Sequence, residues 1–72
     1  AAARERQYVQ AIQHLQAALT LAPMDGRALL ALGTLHAKLG GVASAKAKFN
    51  ECMALASGTI WSVYAGDELQ KL

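Results

Sequence analysis

Ala11-x3-Leu15-x2-Ala18-x4-Pro23 and Ala45-x3-Phe49-x2-Cys52-x4-Ser57 carry one pattern of small and large apolar residues, displaced by 34 positions. A fixed period of that length is the mark of a helix–turn–helix unit that recurs once per period. A unit of this kind stacks on its neighbours, and the stack works as a binding surface rather than a reaction vessel. The expectation is therefore an all-α chain whose function is recognition.

Local signals divide the chain into four helices. Tyr8, Ala11, Ile12, Leu15, Ala18, Leu19 and Ala22 recur at steps of three and four, giving one apolar stripe over about residues 3–22. Pro23 ends that helix, because its ring cannot continue the hydrogen-bond ladder and it restricts the preceding residue. Asp25 is an N-cap for a second helix over 26–39, with Leu29, Leu32, Leu35 and Leu39 on its inner stripe and Leu30, Ala31 and Ala37 widening that face. Gly40-Gly41 closes it, one of the pair taking the left-handed conformation. The turn is short, so the next helix must run antiparallel beside it. That third helix covers 42–56, with Val42, Ala45, Phe49, Cys52, Met53 and Ala56 facing inward. Ser57-Gly58-Thr59 breaks it, and Thr59 caps a fourth helix over 60–71 whose apolar groups are Ile60, Val63 and Tyr64, then Trp61, Ala65, Leu69 and Leu72.

Composition limits the function classes. The chain has 72 residues, 54% of them hydrophobic, with alanine supplying a large share and only four aromatic residues. A domain this small buries only about 60% of the surface its unfolded chain exposes. Seven basic and five acidic residues give a formal charge of +2, too slight and too mixed to indicate nucleic acid or an anionic membrane surface. No stretch approaches the roughly 18 apolar residues of a membrane span. Cys52 is the single cysteine, so no internal disulfide forms, and a reducing, cytoplasmic setting is the expectation. The opening Ala1-Ala2-Ala3-Arg4 reads as a segment cut from something longer.

The complete unit, Leu29-x2-Leu32-Gly33-x2-His36, then Ala45-x3-Phe49-x2-Cys52, then Ser57, resembles the tetratricopeptide repeat family. That family's pattern is W-x2-L-G-x2-Y, A-x3-F and a closing P over 34 residues. The half-unit before it reads Tyr8-x2-Ala11-Ile12-x2-Leu15-x2-Ala18-Leu19 and ends at Pro23. Leu29 stands in place of Trp, His36 of Tyr, Cys52 of Ala and Ser57 of Pro, with Gly58 available as terminator. The resemblance implies antiparallel helix–turn–helix units stacked as a short right-handed α-solenoid. Residues 1–23 would be the second helix of a first repeat and 26–57 a complete repeat. Residues 60–72 would be a capping helix or the start of a third repeat, since Trp61-x2-Tyr64-Ala65 imitates W-x2-L-G two residues early. Gly33 and Ala45 are expected to be small because two helices cross there, with Phe49 and Leu15 as the large plugs.

By the same resemblance, the first helix of the complete unit lines a concave groove, and its groove residues are Arg27, Leu30, Thr34, Ala37 and Lys38. They lie outside the stripe of Leu29, Leu32, Leu35 and Leu39, so the periodicity leaves them free. Some family members grip a chaperone tail's carboxylate with Lys and Asn one turn apart; here Leu30 and Thr34 stand there, and that activity does not carry over. An apolar or weakly acidic peptide or helix suits these residues. The expected partner is a protein or peptide in a scaffold or co-chaperone setting, with neighbouring repeats or self-association covering the ends. The other readings are a structural or oligomerisation segment and, further off, a helical-repeat nucleic-acid binder, which would need a basic stripe.

No reaction chemistry is expected, and no metal, cofactor or small-molecule substrate. His14, His36 and Cys52 lack the paired spacing of a zinc site. Cys52 occupies a buried alanine's place, where a thiol behaves as a small hydrophobe. Asp67 and Glu68 are adjacent on a helix and so point about 100° apart, away from any common centre. The glycines form no phosphate-binding pattern.

Overall fold

The computed structural model describes residues 2–72, and among them the secondary structure is four α-helices. These are α1 (Ala2–Leu21), α2 (Gly26–Lys38), α3 (Val42–Leu55) and α4 (Ile60–Lys71). The all-helical class and the four helix positions expected from the sequence are thus observed.

Each boundary has a local cause. At the end of α1 the Ala22 amide still donates to the Ala18 carbonyl, and Pro23 then starts a turn in which the Asp25 amide donates to Ala22. Asp25 caps α2 from an extended conformation, its carboxylate accepting from the amides of Arg27 and Ala28 at 3.1 and 3.4 Å. At the other end Gly40 has φ +84°, and the Gly40 and Gly41 amides donate to Ala37 and His36. That pair of bonds is the Schellman closure, which satisfies two orphan carbonyls and reverses the chain within two residues. Gly58, at φ +83°, takes over as breaker after α3, where the repeat pattern has proline. Thr59 sits at the N-cap of α4, but its hydroxyl donates backward to the Ala56 carbonyl at 2.6 Å instead of accepting from the new helix. It ties down the end of α3 rather than capping α4.

Among the described residues, packing centres on α2, which touches α1, α3 and α4; α3 also touches α4, and α1 touches α2 alone. Leu29, Ala45, Phe49, Cys52, Ala56 and Ala65 form the buried cluster, with Leu19, Leu30, Ala37, Trp61 and Leu69 leaning on it. Phe49 is completely buried, worth about 2–3 kcal/mol in transfer alone. Its ring occupies the space that a side chain at residue 33 would need: a Cβ built on Gly33 would lie 2.5 Å from the ring. Gly26 is a second seat. A Cβ there would meet the Cβ atoms of Ala56 and Trp61 at 2.6 and 2.9 Å, so the start of α2, the end of α3 and the start of α4 converge on one point.

The stripes are narrower than periodicity alone suggested. Val42 and Met53 are exposed, at 42% and 39%, as is Leu39; Ala18 and Ala22 are open to solvent too. On α4 the buried side is Ala65 with Trp61 and Leu69, whereas Ile60, Val63 and Tyr64 face outward. The molecule is a slab of 37 × 29 × 17 Å. At the usual interaxial spacing of about 8–10 Å its short axis holds only two layers of helices, so every helix keeps a wet face.

Two substitutions check this core. Phe49→Ala is expected to cost about 3–5 kcal/mol and leave a largely unfolded chain by circular dichroism at 25 °C. Gly33→Ala should lower the melting temperature, although alanine gains up to about 1 kcal/mol in helix propensity, because its methyl collides with the Phe49 ring. Adding Phe49→Leu to Gly33→Ala should recover part of that loss; an additive double variant would show that the two residues are not in contact.

Candidate functional site

The five α2 residues expected to line a groove divide into two sets. Arg27 and Lys38 are exposed and Thr34 is half-exposed. At about 100° per residue these three fall within some 40° of one another around the helix. Leu30 and Ala37 sit further round, half-buried and leaning on the core cluster. The free strip is therefore polar along its line, with Leu30 and Ala37 as an apolar shoulder already partly covered. Eleven residues at about 1.5 Å each put the Arg27 and Lys38 backbones some 16 Å apart. Two cations that far apart do not converge on one small anion.

Hydrogen bonding and charge refine this strip. The Thr34 hydroxyl donates to the Leu30 carbonyl at 3.0 Å, which leaves its oxygen as an acceptor for a ligand. The ion pairs among the described residues are Lys48–Glu51 and Lys71–Glu68, both at 3.6 Å and both partly exposed. Neither involves Arg27 or Lys38. Asp25 spends its carboxylate on the helix cap. The strip is thus cationic at both ends, and Asp25 lies beside only one of them.

A shallow depression of about 420 Å³ lies elsewhere, along α1, lined by Glu5, Arg6, Val9, Gln10 and Gln13. All five belong to one helix and carry mixed charge, so no polar groups converge there on a common point. Among the described residues no three His, Cys, Asp or Glu side chains gather where a metal ion would sit. Among the described residues no helix is long and apolar enough to cross a membrane.

Cys52 is fully buried at the three-helix junction. Its Sγ lies 3.3 Å from the Gly26 carbonyl and 3.5 Å from the Trp61 carbonyl, both in the first turn of a helix. Burial pushes the thiol above its ordinary value of 9.0, which keeps it protonated and unreactive. Trp61 stacks edge-on against Tyr64, with ring centres 6.1 Å apart. His36 is half-buried and His14 exposed on a different helix. The structural residue that the sequence concealed is Gly26. Following an N-cap it reads only as a helix start, and the 34-residue offset pairs it with Ile60, which gives no hint of a packing seat.

No protein-family model, curated protein or solved structure matches this chain.

The raised thiol of Cys52 predicts a pH effect. The folded state holds the proton more tightly than the unfolded state. The stabilisation is therefore complete below the unfolded value near 9.0 and is lost as pH rises above it. The melting temperature of the native chain should fall between pH 8 and 10.5, within about two units of the ordinary thiol value, more steeply than that of Cys52→Ala. Parallel curves would exclude Cys52 as the cause. At neutral pH Cys52→Ala should cost about 1–2 kcal/mol, from the lost sulfur packing and its bond to the Gly26 carbonyl.

Proposed function

We propose that this chain is a segment of a tetratricopeptide-like helical-repeat array and that it holds a protein or peptide partner along the Arg27–Thr34–Lys38 strip of α2, without catalysis. The observation that carries the reading is the coincidence of repeat register with burial. Ala45, Phe49 and Cys52, the second-helix places of the one complete unit, are all at zero exposure, and the glycine of its first helix receives the Phe49 ring. The order of contacts supports it as well: α2 sits against the helix before it, the helix after it and the fourth helix. That is how a first helix of a stacked pair is placed between successive units.

The strip favours a partner with an acidic residue at one or both ends of a segment of about 16 Å and small or apolar residues between them. Arg at one end permits a two-pronged grip on a carboxylate, and Lys at the other acts as a point charge. A scaffold or co-chaperone role belongs to this reading. A purely structural role is the alternative: α2 would then only brace its neighbours, and the strip would stay solvated.

The double variant Arg27→Glu with Lys38→Glu tests it. Both side chains are exposed and outside the ion pairs, so the helicity and melting curve should stay close to those of the parent. Titration against an acidic-apolar peptide that the parent binds should weaken by about tenfold or more, with a reduced salt dependence. Unchanged affinity in a folded double variant would favour the bracing role. Leu30→Glu is a poorer test, because Leu30 leans on the core and a charge there should also lower stability.

A further inference from the structure

Burial along α2 falls into two separate sets. Leu29 belongs to the cluster shared with α3 and α4, whereas Ala28 and Leu32, at 4% and 0% exposure, stand outside it. The other buried apolar residue outside that cluster is Ile12 of α1, and among the described residues α1 touches α2 alone. Ile12 therefore packs on the Ala28 side of α2. The molecule has a main core joining α2, α3 and α4, and a small second contact that holds α1.

That second contact is slight for the length of helix it holds. α1 runs for 20 residues, yet Ile12 is its one buried residue among those described; Tyr8, Ala11, Leu15 and Leu19 are only half-buried. Among the described residues no side-chain hydrogen bond or ion pair joins α1 to another helix, and the Thr20 hydroxyl bonds back to Gln16 within α1 itself. The other three helices are tied across one another by Phe49 over Gly33 and by Cys52 beside the Gly26 and Trp61 carbonyls. The connection to α1 is also free to turn. Residues 21–25 are all exposed, and the Asp25 amide bonds only to Ala22 inside the turn, so rotation there breaks no buried contact.

We propose that α1 is a releasable strap: it lifts away as a unit about the 22–25 turn while α2, α3 and α4 stay folded, and it uncovers the Ala28 side of α2. At about 100° per residue, Ala31 and Leu35 lie between Ala28 and the Arg27–Thr34–Lys38 strip, and both are half-buried. With α1 released, the strip gains an apolar flank of Ala28, Ala31 and Leu35. The strap thus decides whether α2 offers a polar line or an amphipathic face. That consequence rests on the strip reading above; the release itself does not.

The test places a second thiol beneath α1. The full chain carrying Ala28→Cys is alkylated with excess iodoacetamide under native conditions and read site by site by mass spectrometry, with buried Cys52 as the internal reference. The introduced thiol should label at least about tenfold faster than Cys52. Adding Ile12→Ala should speed labelling at the introduced thiol by about tenfold or more and leave Cys52 within about twofold, because Ile12 holds the strap and not the main core. Equal rates at the two thiols, or an equal rise at both in Ile12→Ala, would show that the chain opens only as a whole and would overturn the assignment. Hydrogen exchange of the unsubstituted chain checks the same point without an added thiol. The amides of residues 9–19 should exchange at least about tenfold faster than the slowest amides of α2 and α3, and uniform protection across α1, α2 and α3 would equally overturn it. Arg27→Glu with Lys38→Glu should leave the labelling pattern of the Ala28→Cys chain as it is, so the strap and the strip stand or fall separately.

Discussion

The Phe49 ring rests in the space where Gly33 has no side chain, and the rest of the structure depends on that contact. Without a seat at residue 33, α2 and α3 could not approach closely enough to bury Ala45, whose small side chain has value only at short interhelical distance. The Schellman turn at Gly40-Gly41 delivers α3 to this position within two residues, so local and long-range preferences agree. One large plug and one absent side chain therefore fix the central helix pair in a chain otherwise built from alanine and leucine.

The second organising point lies where three helix ends meet. Gly26, Cys52, Ala56 and Trp61 pack together, and the Cys52 thiol lies within hydrogen-bond distance of the Gly26 and Trp61 carbonyl oxygens. Cysteine is slightly larger than the alanine of the repeat pattern, so it fills the gap, and its thiol hydrogen finds a carbonyl partner there. Trp61 anchors α4 by landing on the bare backbone of Gly26. Thr59 adds a bond to Ala56 that holds the last turn of α3 in place. The orientation of α4 is thus set at its N-terminal end, and its outward face is what remains after that choice.

These constraints shape the surfaces available for recognition. A slab two helices deep has a thin interior, and the Cys52 thiol is enclosed within it. Its central helix α2 carries a cationic strip on its exposed side. The strip is positioned by residues on the opposite side of the same helix, Leu29 and Gly33, so its geometry follows from the core. A reading as an interaction module draws on that coupling between a fixed core face and an exposed polar one.

Much of this was legible in the sequence because the signals are local or strictly periodic. Pro23, Asp25, Gly40-Gly41 and Gly58 act on their own backbone, so they mark helix ends without reference to anything distant. The 34-residue offset identified Phe49, Ala45 and Cys52 as buried, since a repeated small–large pattern reports the faces that must meet. It also separated Arg27, Thr34 and Lys38 from the inner stripe. Periodicity defines a stripe, however, and not the rotation of a helix about its axis. That is why Ile60, Val63 and Tyr64 looked as eligible for burial as Trp61, Ala65 and Leu69, and why Val42, Met53, Ala18 and Leu39 looked buried. Tertiary contact decided those rotations through volume: the indole fits over Gly26, and the neighbours that would have covered the other residues are absent from their side. The same contact turned Thr59 toward Ala56. The sequence alone determined where helices form and which places are large or small; only the assembled structure determined which small place receives which large one.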